Sequence, residues 1–327
     1  MDEETILRGR TAPPSTLAEQ AAQWPALRPR PRPLRVGARE LHATRCHVRG
    51  GAERLAESVF RVAGDVARTD AGLVVIDPQG ALRRYLIEAE RPCALSPDLG
   101  FGDGGRLELP GAAESAPSLL AADDAGRLYA ASESESWRIG PDGEIARCAV
   151  GAHSLAVGPE GAVHITTPDG RVLRLRYDEA GACRGGPWPA GSDLRARFAA
   201  HAAGHVWLTP RAPHADRVLT AFTAEGLRAT LQLGKTGERD PIVRSRALVG
   251  DARGLALVDG HARRLRLFAK DGSRRGSVDL LRLLDLPLPW VGGATRVRER
   301  VSFFAIGHER GAASGLFEGL LFRVAGL

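Results

Sequence analysis

Five times along this chain a large apolar residue stands six positions ahead of a glycine that opens a second apolar run. The copies run from Val66 to Gly72 before LVVID, Leu120 to Gly126 before RLYAAS, and Leu155 to Gly161 before AVHITT. They continue from Phe198 to Gly204 before HVWLTP and from Leu248 to Gly254 before LALVDG. A glycine between two apolar runs suits a turn joining antiparallel strands, where positive φ is open to a residue without Cβ. Each copy is followed by a second strand pair around another turn: RVLRLRYDEAG to Gly181, RVLTAFTAEG to Gly226, RRLRLFAKDG to Gly272, and the shorter ESWRIGPDG to Gly143. The Asp-Gly pairs at 142–143 and 271–272 are strong hairpin signals.

The anchor glycines are 54, 35, 43 and 50 residues apart. Units of this size with four strands each predict β-propeller blades. A blade buries its faces only against its neighbours, so the array must close into a ring. A sixth copy without the glycine is readable at Glu299–Ile306, with GLFEGLLFRVAGL as its outer hairpin. The expected fold is therefore all-β: a single propeller of four-stranded blades over residues 34–327, with six blades. Five or seven stay open, because residues 34–63 could supply a further blade or only a closing strand. Leu320–Val324 is a good terminal strand for pairing with N-terminal sequence, which would remove the exposed sheet edge. LGFGDGGRLELPG, residues 99–111, reads as a loop between blades.

Residues 1–33 differ in kind. They carry Pro13, Pro14, Pro25, Pro29, Pro31 and Pro33, and Arg28 to Pro33 alternates arginine with proline. Such a segment is extended and cationic, has no apolar face, and lacks an N–H at every second residue. It is expected outside the propeller, as a tail or as an arm whose Arg28, Arg30 and Arg32 dock on a partner.

The strand–glycine–strand phrase, together with RVLRLRY and the closing Asp-Gly turns, resembles NHL-type propeller repeats over about residues 60–327. Propeller proteins of this look also accompany bacterial tail-like contractile injection systems. The resemblance implies a bacterial protein that binds another protein within a multi-subunit assembly. Gluconolactonase-like six-bladed propellers resemble the chain in fold only. Their calcium is held by carboxylates together with asparagine, and this chain contains no asparagine, so that ligand set cannot be carried over. No metal and no cofactor is expected.

The formal charge is +6, and of 45 basic residues only Lys235 and Lys270 are lysine. Abundant arginine, glycine and alanine beside almost no lysine matches a GC-rich genome, which accounts for much of the basicity without a nucleic-acid partner. The longest apolar stretch, Leu280–Val291, is interrupted by Arg282, Asp285, Pro287 and Pro289, too short and too polar for a spanning helix. The start, Met1-Asp2-Glu3-Glu4, lacks the pattern of a secretion signal, and a cytoplasmic location is expected. Cys46, Cys93, Cys148 and Cys183 form no local metal knuckle or redox pair and read as reduced, packed thiols. Cys93, Cys148 and Cys183 lie 21, 22 and 22 residues after their glycines, which places them on or beside outer strands.

Catalytic signals are sparse. Gly234-Lys235-Thr236 has Ala229 where a phosphate loop needs its first glycine. No Gly-x-Ser-x-Gly elbow and no His-Glu-x-x-His occurs, and His201 and His205 straddle a turn glycine, so no catalytic residue is assigned. Position in the repeat is more informative. Eight residues before the anchor glycines stand Ser118, His153, Ala196 and Arg246, with Arg197 one step on. Entering the innermost strands, His153, Arg197 and Arg246 would share one mouth of the central channel and could hold an acidic ligand or an acidic partner side chain. Alternatively the arginines neutralise blade carboxylates such as Asp123, Asp124 or Asp251. The function this supports is a non-enzymatic protein-binding or scaffold propeller. A hydrolase or lactonase with its site at the channel mouth is the alternative, and polyanion binding a further one.

Overall fold

The computed structural model describes residues 33–36, 39–48, 65–77, 79–87, 93–158, 160–178, 180–210, 218–234, 242, 245–251, 254–259, 263–284, 290–298, 301–309 and 317–327. The arm, with Arg28, Arg30 and Arg32, lies outside them.

Six sheets form the described part of the chain. Blade 1 runs outward through Val66–Thr69, Gly72–Ile76, Leu82–Ile87 and Ala94–Pro97. Blade 2 follows with Leu119–Ala122, Leu128–Ala131, Ser136–Ile139 and Ile145–Cys148. Blade 3 is Ser154–Val157, Val163–Thr166, Val172–Tyr177 and Cys183–Pro187. Blade 4 is Ala196–Ala202, His205–Pro210, Leu219–Phe222 and Arg228–Leu233. Blade 5 is Ser245–Asp251, Gly254–Asp259, Arg264–Ala269 and Arg274–Asp279. The innermost strands touch in sequence order, and the innermost strand of blade 6 returns to that of blade 1. The ring is closed and has six blades.

Blade 6 takes its inner strands Trp290–Arg298, Val301–Glu309 and Phe317–Ala325 from the C-terminus. Its outer strand is Arg39–Arg45, with His42 opposite Ala325 and Arg45 opposite Phe322, and Leu34–Val36 adds a fifth strand beyond it. The expected closure between the two ends of the chain is therefore present. The expected outer hairpin at GLFEGLLFRVAGL is instead one long strand, because Arg39–Arg45 occupies the outer place. Residues 34–45 are thus closing strands rather than a blade of their own.

All five anchor glycines sit between an innermost and a second strand, for two different physical reasons. Gly126, Gly161 and Gly204 occupy left-handed turns with φ of 77°, 80° and 77°. Gly72 and Gly254 instead lie where a Cβ would come within 2.2 Å of the Tyr85 carbonyl oxygen and 2.6 Å of that of Phe268. There the missing side chain admits the third strand.

Second strands are buried on both faces, as in Gly72–Ile76 and Leu128–Ala131, because each is sandwiched between neighbouring blades. Outer strands such as Arg228–Leu233 alternate towards solvent. Trp137 and Trp207 are among the largest buried side chains, and each indole N–H finds a carbonyl, Pro110 at 2.9 Å and Ala202 at 3.0 Å. Among the described residues the one helix is Leu280–Leu284, capped by Asp279 and laid against the closing strand.

The cysteine expectation needs correction. Cys148, which ends the outer strand of blade 2, forms a disulfide with Cys183, which begins that of blade 3. Spacing from the glycine matches the two in sequence, but the ring places them at opposite ends of adjacent strands, where their side chains meet.

Candidate functional site

Innermost strands of small residues converge on the axis. Ala67, Ala121, Ala156, Ala199 and Ala247 line a channel of about 190 Å³. Small side chains are needed where six strands crowd together, so the few polar groups in this wall stand out: Asp65, His201, Arg246 and Thr295.

His153, Arg197 and Arg246 lie where the innermost strands of blades 3, 4 and 5 begin. The His153 N–H donates to Thr166 at 2.6 Å, just ahead of its strand. Arg197 and Arg246 occupy register shifts, between Ala196 and Phe198 and between Ser245 and Ala247. A bulge re-aims a side chain that regular pairing would send into the sheet. All three side chains are exposed, and Arg246 borders the channel while His153 and Arg197 stand outside its lining. Each also makes contacts within the fold. Neutralisation by Asp123 is ruled out by topology. Asp123 lies in the turn at the far end of its strand, where it takes the Arg127 guanidinium at 2.6 Å and the Tyr129 hydroxyl at 3.1 Å.

Asp65 was not singled out from the sequence, although its place seven residues before Gly72 is a repeat position. Its Oδ1 accepts the Val66 N–H at 2.7 Å, and its Oδ2 accepts the Leu120 N–H of blade 2 at 3.3 Å. Gly293 of blade 6 leaves room for the carboxyl, since a Cβ there would stand 1.5 Å from Oδ1. Desolvation pushes the carboxyl pKa up to about 7, against the two backbone hydrogen bonds that lower it. Ser154, also seven residues before its glycine, does the same joining work uncharged: its Oγ accepts the Ala199 N–H of blade 4 at 2.8 Å. A carboxylate is thus more than the inter-blade contact requires.

Between blades 3 and 4, His164 packs against Trp188 with ring centroids 4.3 Å apart and the rings tilted by 58°. Neither imidazole nitrogen has a hydrogen-bond partner within the protein. Burial, followed by the charges of Arg174 and His201, drives its pKa down to about 3, so the ring is neutral. His201, on the channel wall, is lowered as well, by burial and by His205. Among the described residues no three or more His, Cys, Asp or Glu side chains gather into a metal-holding group.

No protein-family profile and no curated protein sequence matches the chain. Solved structures do. A catalytically inactive virginiamycin B lyase from Staphylococcus aureus, solved with quinupristin, superposes with a TM-score of 0.53 at 12% identity, over 88% of this chain and 99% of that one. YCF48 bound to D1 peptide gives 0.52 at 12% identity, over 92% and 99%. A gluconolactonase from Xanthomonas campestris gives 0.50 at 14%, over 92% and 96%. The likeness is one of fold. Enzymes and binding proteins share it, so function has to be argued from the site.

Proposed function

We propose that this chain is a protein-binding propeller that captures an acidic segment of a partner at the mouth where its innermost strands begin. The observation that carries this reading is the presentation of His153, Arg197 and Arg246, exposed, from corresponding places in three consecutive blades. Planar guanidinium groups on a rigid rim suit carboxylates, and a ring holds them at fixed separation without further ordering cost. The arm, through Arg28, Arg30 and Arg32, would supply a second, flexible contact, and two linked contacts multiply affinity. The NHL-type resemblance and its link to tail-like systems extend the proposal to a subunit of a larger bacterial assembly; the Cys148–Cys183 disulfide weighs against the expected cytoplasmic location, where thiols are kept reduced.

The test is binding of an acidic fluorescent peptide, and co-purification of native partners, by the full chain and two variants. Arg197→Glu with Arg246→Glu should abolish peptide binding. Deletion of residues 1–33 should weaken co-purification while moving the melting temperature by no more than a few degrees. Unchanged binding by the double charge reversal rejects the rim, and unfolding on truncation rejects the arm as a docking element.

Asp65 favours a second reading. A channel carboxyl with a pKa of about 7 can give or take a proton at neutral pH, as an ester- or lactone-cleaving site at this mouth would need. Hydrolysis of a panel of aryl esters and lactones that is lost in Asp65→Ser, with peptide binding retained, would move the assignment to an enzyme.

A further inference from the structure

Blades 6 and 1 meet where the two ends of the chain close the ring. After the closing strand Arg39–Arg45, the Cys46 N–H donates to the Leu321 carbonyl at 2.8 Å, which fixes it beside blade 6. His47–Val48 then crosses to blade 1 and pairs in parallel with its outer strand, His47 opposite Ala94 and Val48 opposite Leu95. One step earlier on both strands stand Cys46 and Cys93, neighbours across the blade boundary that shift each other's titration. Neighbouring strands are roughly 5 Å apart, within the roughly 4.4–6.8 Å between Cα atoms that a disulfide bridges. The molecule holds an internal precedent. Cys148 and Cys183 likewise join the end of one outer strand to the start of the next, with Cα atoms 5.3 Å apart.

We propose that Cys46 and Cys93 are a second inter-blade disulfide site, a dithiol that is oxidised by a low-molecular-weight disulfide and then fastens the closing strand to the outer strand of blade 1. Both residues are partly exposed, so a small oxidant can reach them. Cys93 is the attacking group. Contact with Cys46 and then the nearby Arg323 charge bring its pKa down to about 7, whereas contact with Cys93 and burial push Cys46 up. The Cys93 thiolate attacks one sulfur of the oxidant RSSR, forms a mixed disulfide and expels RS⁻. Cys46 loses its proton to solvent and attacks Cys93 Sγ, expelling the second RS⁻. Two protein thiols are oxidised and one RSSR is reduced to two RSH.

The bond would tie the closing strand of blade 6 to blade 1 and close a covalent loop over residues 46–93, which holds in place the strand that Phe317–Ala325 pairs with. The full-length chain is equilibrated in glutathione buffers from fully reduced to fully oxidised, acid-quenched, alkylated, and mapped by mass spectrometry without reduction. The expected result is a Cys46–Cys93 linked peptide, loss of the Cys46 and Cys93 thiols in one step, and a thermal midpoint raised by about 5 °C beyond the contribution of Cys148–Cys183. Dithiothreitol should reverse all three. Cys93→Ser, or Cys46→Ser if the first does not fold, should abolish the linked peptide and cut the midpoint shift to the part that Cys148–Cys183 contributes. Separate glutathione adducts on the two cysteines, or a linked peptide with an unmoved midpoint, would overturn the proposal. A linked peptide already present in protein purified without oxidant supports it.

Discussion

His164 and Asp65 should pull the pH dependence of stability in opposite directions, and substitution can separate them. His164 is about 1% exposed and lacks a partner at either nitrogen, and its pKa falls from 6.5 to about 3 on folding. A depressed folded pKa means the unfolded chain binds the proton more readily. The stability that neutral His164 permits is complete above pH 6.5 and is lost as pH falls towards 3. Asp65 has the reverse sign, because its folded pKa of about 7 lies above the ordinary 3.8. Its neutral form favours the folded state, so stability present below pH 3.8 is lost as pH rises through 7. Between pH 4.5 and 7 each effect integrates to about 2–3 kcal/mol, so the two largely offset.

His164→Leu keeps the volume and removes the titration. Asp65→Ser keeps an acceptor of the kind that Ser154 provides in blade 3. Urea unfolding of each variant and the wild type is measured at several values between pH 4.5 and 7.5, and differences from wild type cancel the common background. Relative to wild type, His164→Leu should gain about 2–3 kcal/mol as pH falls across this range, and Asp65→Ser a similar amount as pH rises. His164→Leu should also unfold no more easily than wild type at pH 7, since it removes two buried nitrogens without partners. Difference curves flat to within about 0.5 kcal/mol, well below that linkage expectation, would show that neither group is desolvated as described.

Three further outcomes follow from the same structure. Asp259→Ala removes the carboxylate that meets the Arg266 guanidinium at 2.8 and 3.1 Å in a fully buried pair. It should cost about 3–5 kcal/mol, or roughly 5–8 °C in melting temperature, with Asp259→Leu/Arg266→Leu recovering most of it. Gly254→Ala, which puts a Cβ 2.6 Å from the Phe268 carbonyl, should destabilise more in denaturant titration than Gly126→Ala, which meets nothing within 4 Å and costs only the strain of φ 77°. If genomic composition set the arginine content, fluorescence anisotropy with random-sequence DNA should show weak binding that vanishes by physiological salt.

What could be read from the residues, and what could not, divides along the ring. The strand–glycine–strand phrase exposed five blades, because a turn glycine and its flanking apolar runs are local features. Blade 6 was readable only as a degenerate copy, because its outer strand comes from residues 39–45 at the other end of the chain. That His153, Arg197 and Arg246 stand where innermost strands begin was readable by counting from the glycines, since repeat position becomes position around the axis, but that Arg246 borders the channel while the other two do not was not. Asp65 escaped because its significance lies between blades: the Leu120 N–H it accepts and the Gly293 that leaves it room belong to blades 2 and 6. His164 escaped for a similar reason, since its want of partners depends on Trp188 and on blade 4 beside it.

The cysteines show the same division. Counting from the glycines treats Cys93, Cys148 and Cys183 as marks of duplication, and leaves Cys46 outside the pattern. Ring closure turns the four into two pairs, because each lies at an end of an outer strand and successive outer strands run end to start around the rim. Cys148 meets Cys183 at the boundary of blades 2 and 3, and Cys46 meets Cys93 at that of blades 6 and 1. The second boundary adjoins the seam of the ring, where Arg39–Arg45 pairs with Phe317–Ala325. Both cross-links span boundaries that the backbone also crosses, and Cys46–Cys93 holds against blade 1 the strand whose pairing with Phe317–Ala325 closes the ring. Stability gained by a cross-link depends on the freedom it removes from the unfolded chain and on local motions it forbids in the folded one. The two disulfide positions are alike in their place between successive outer strands, and at the second oxidation anchors the strand on which the C-terminal end of the chain closes the ring.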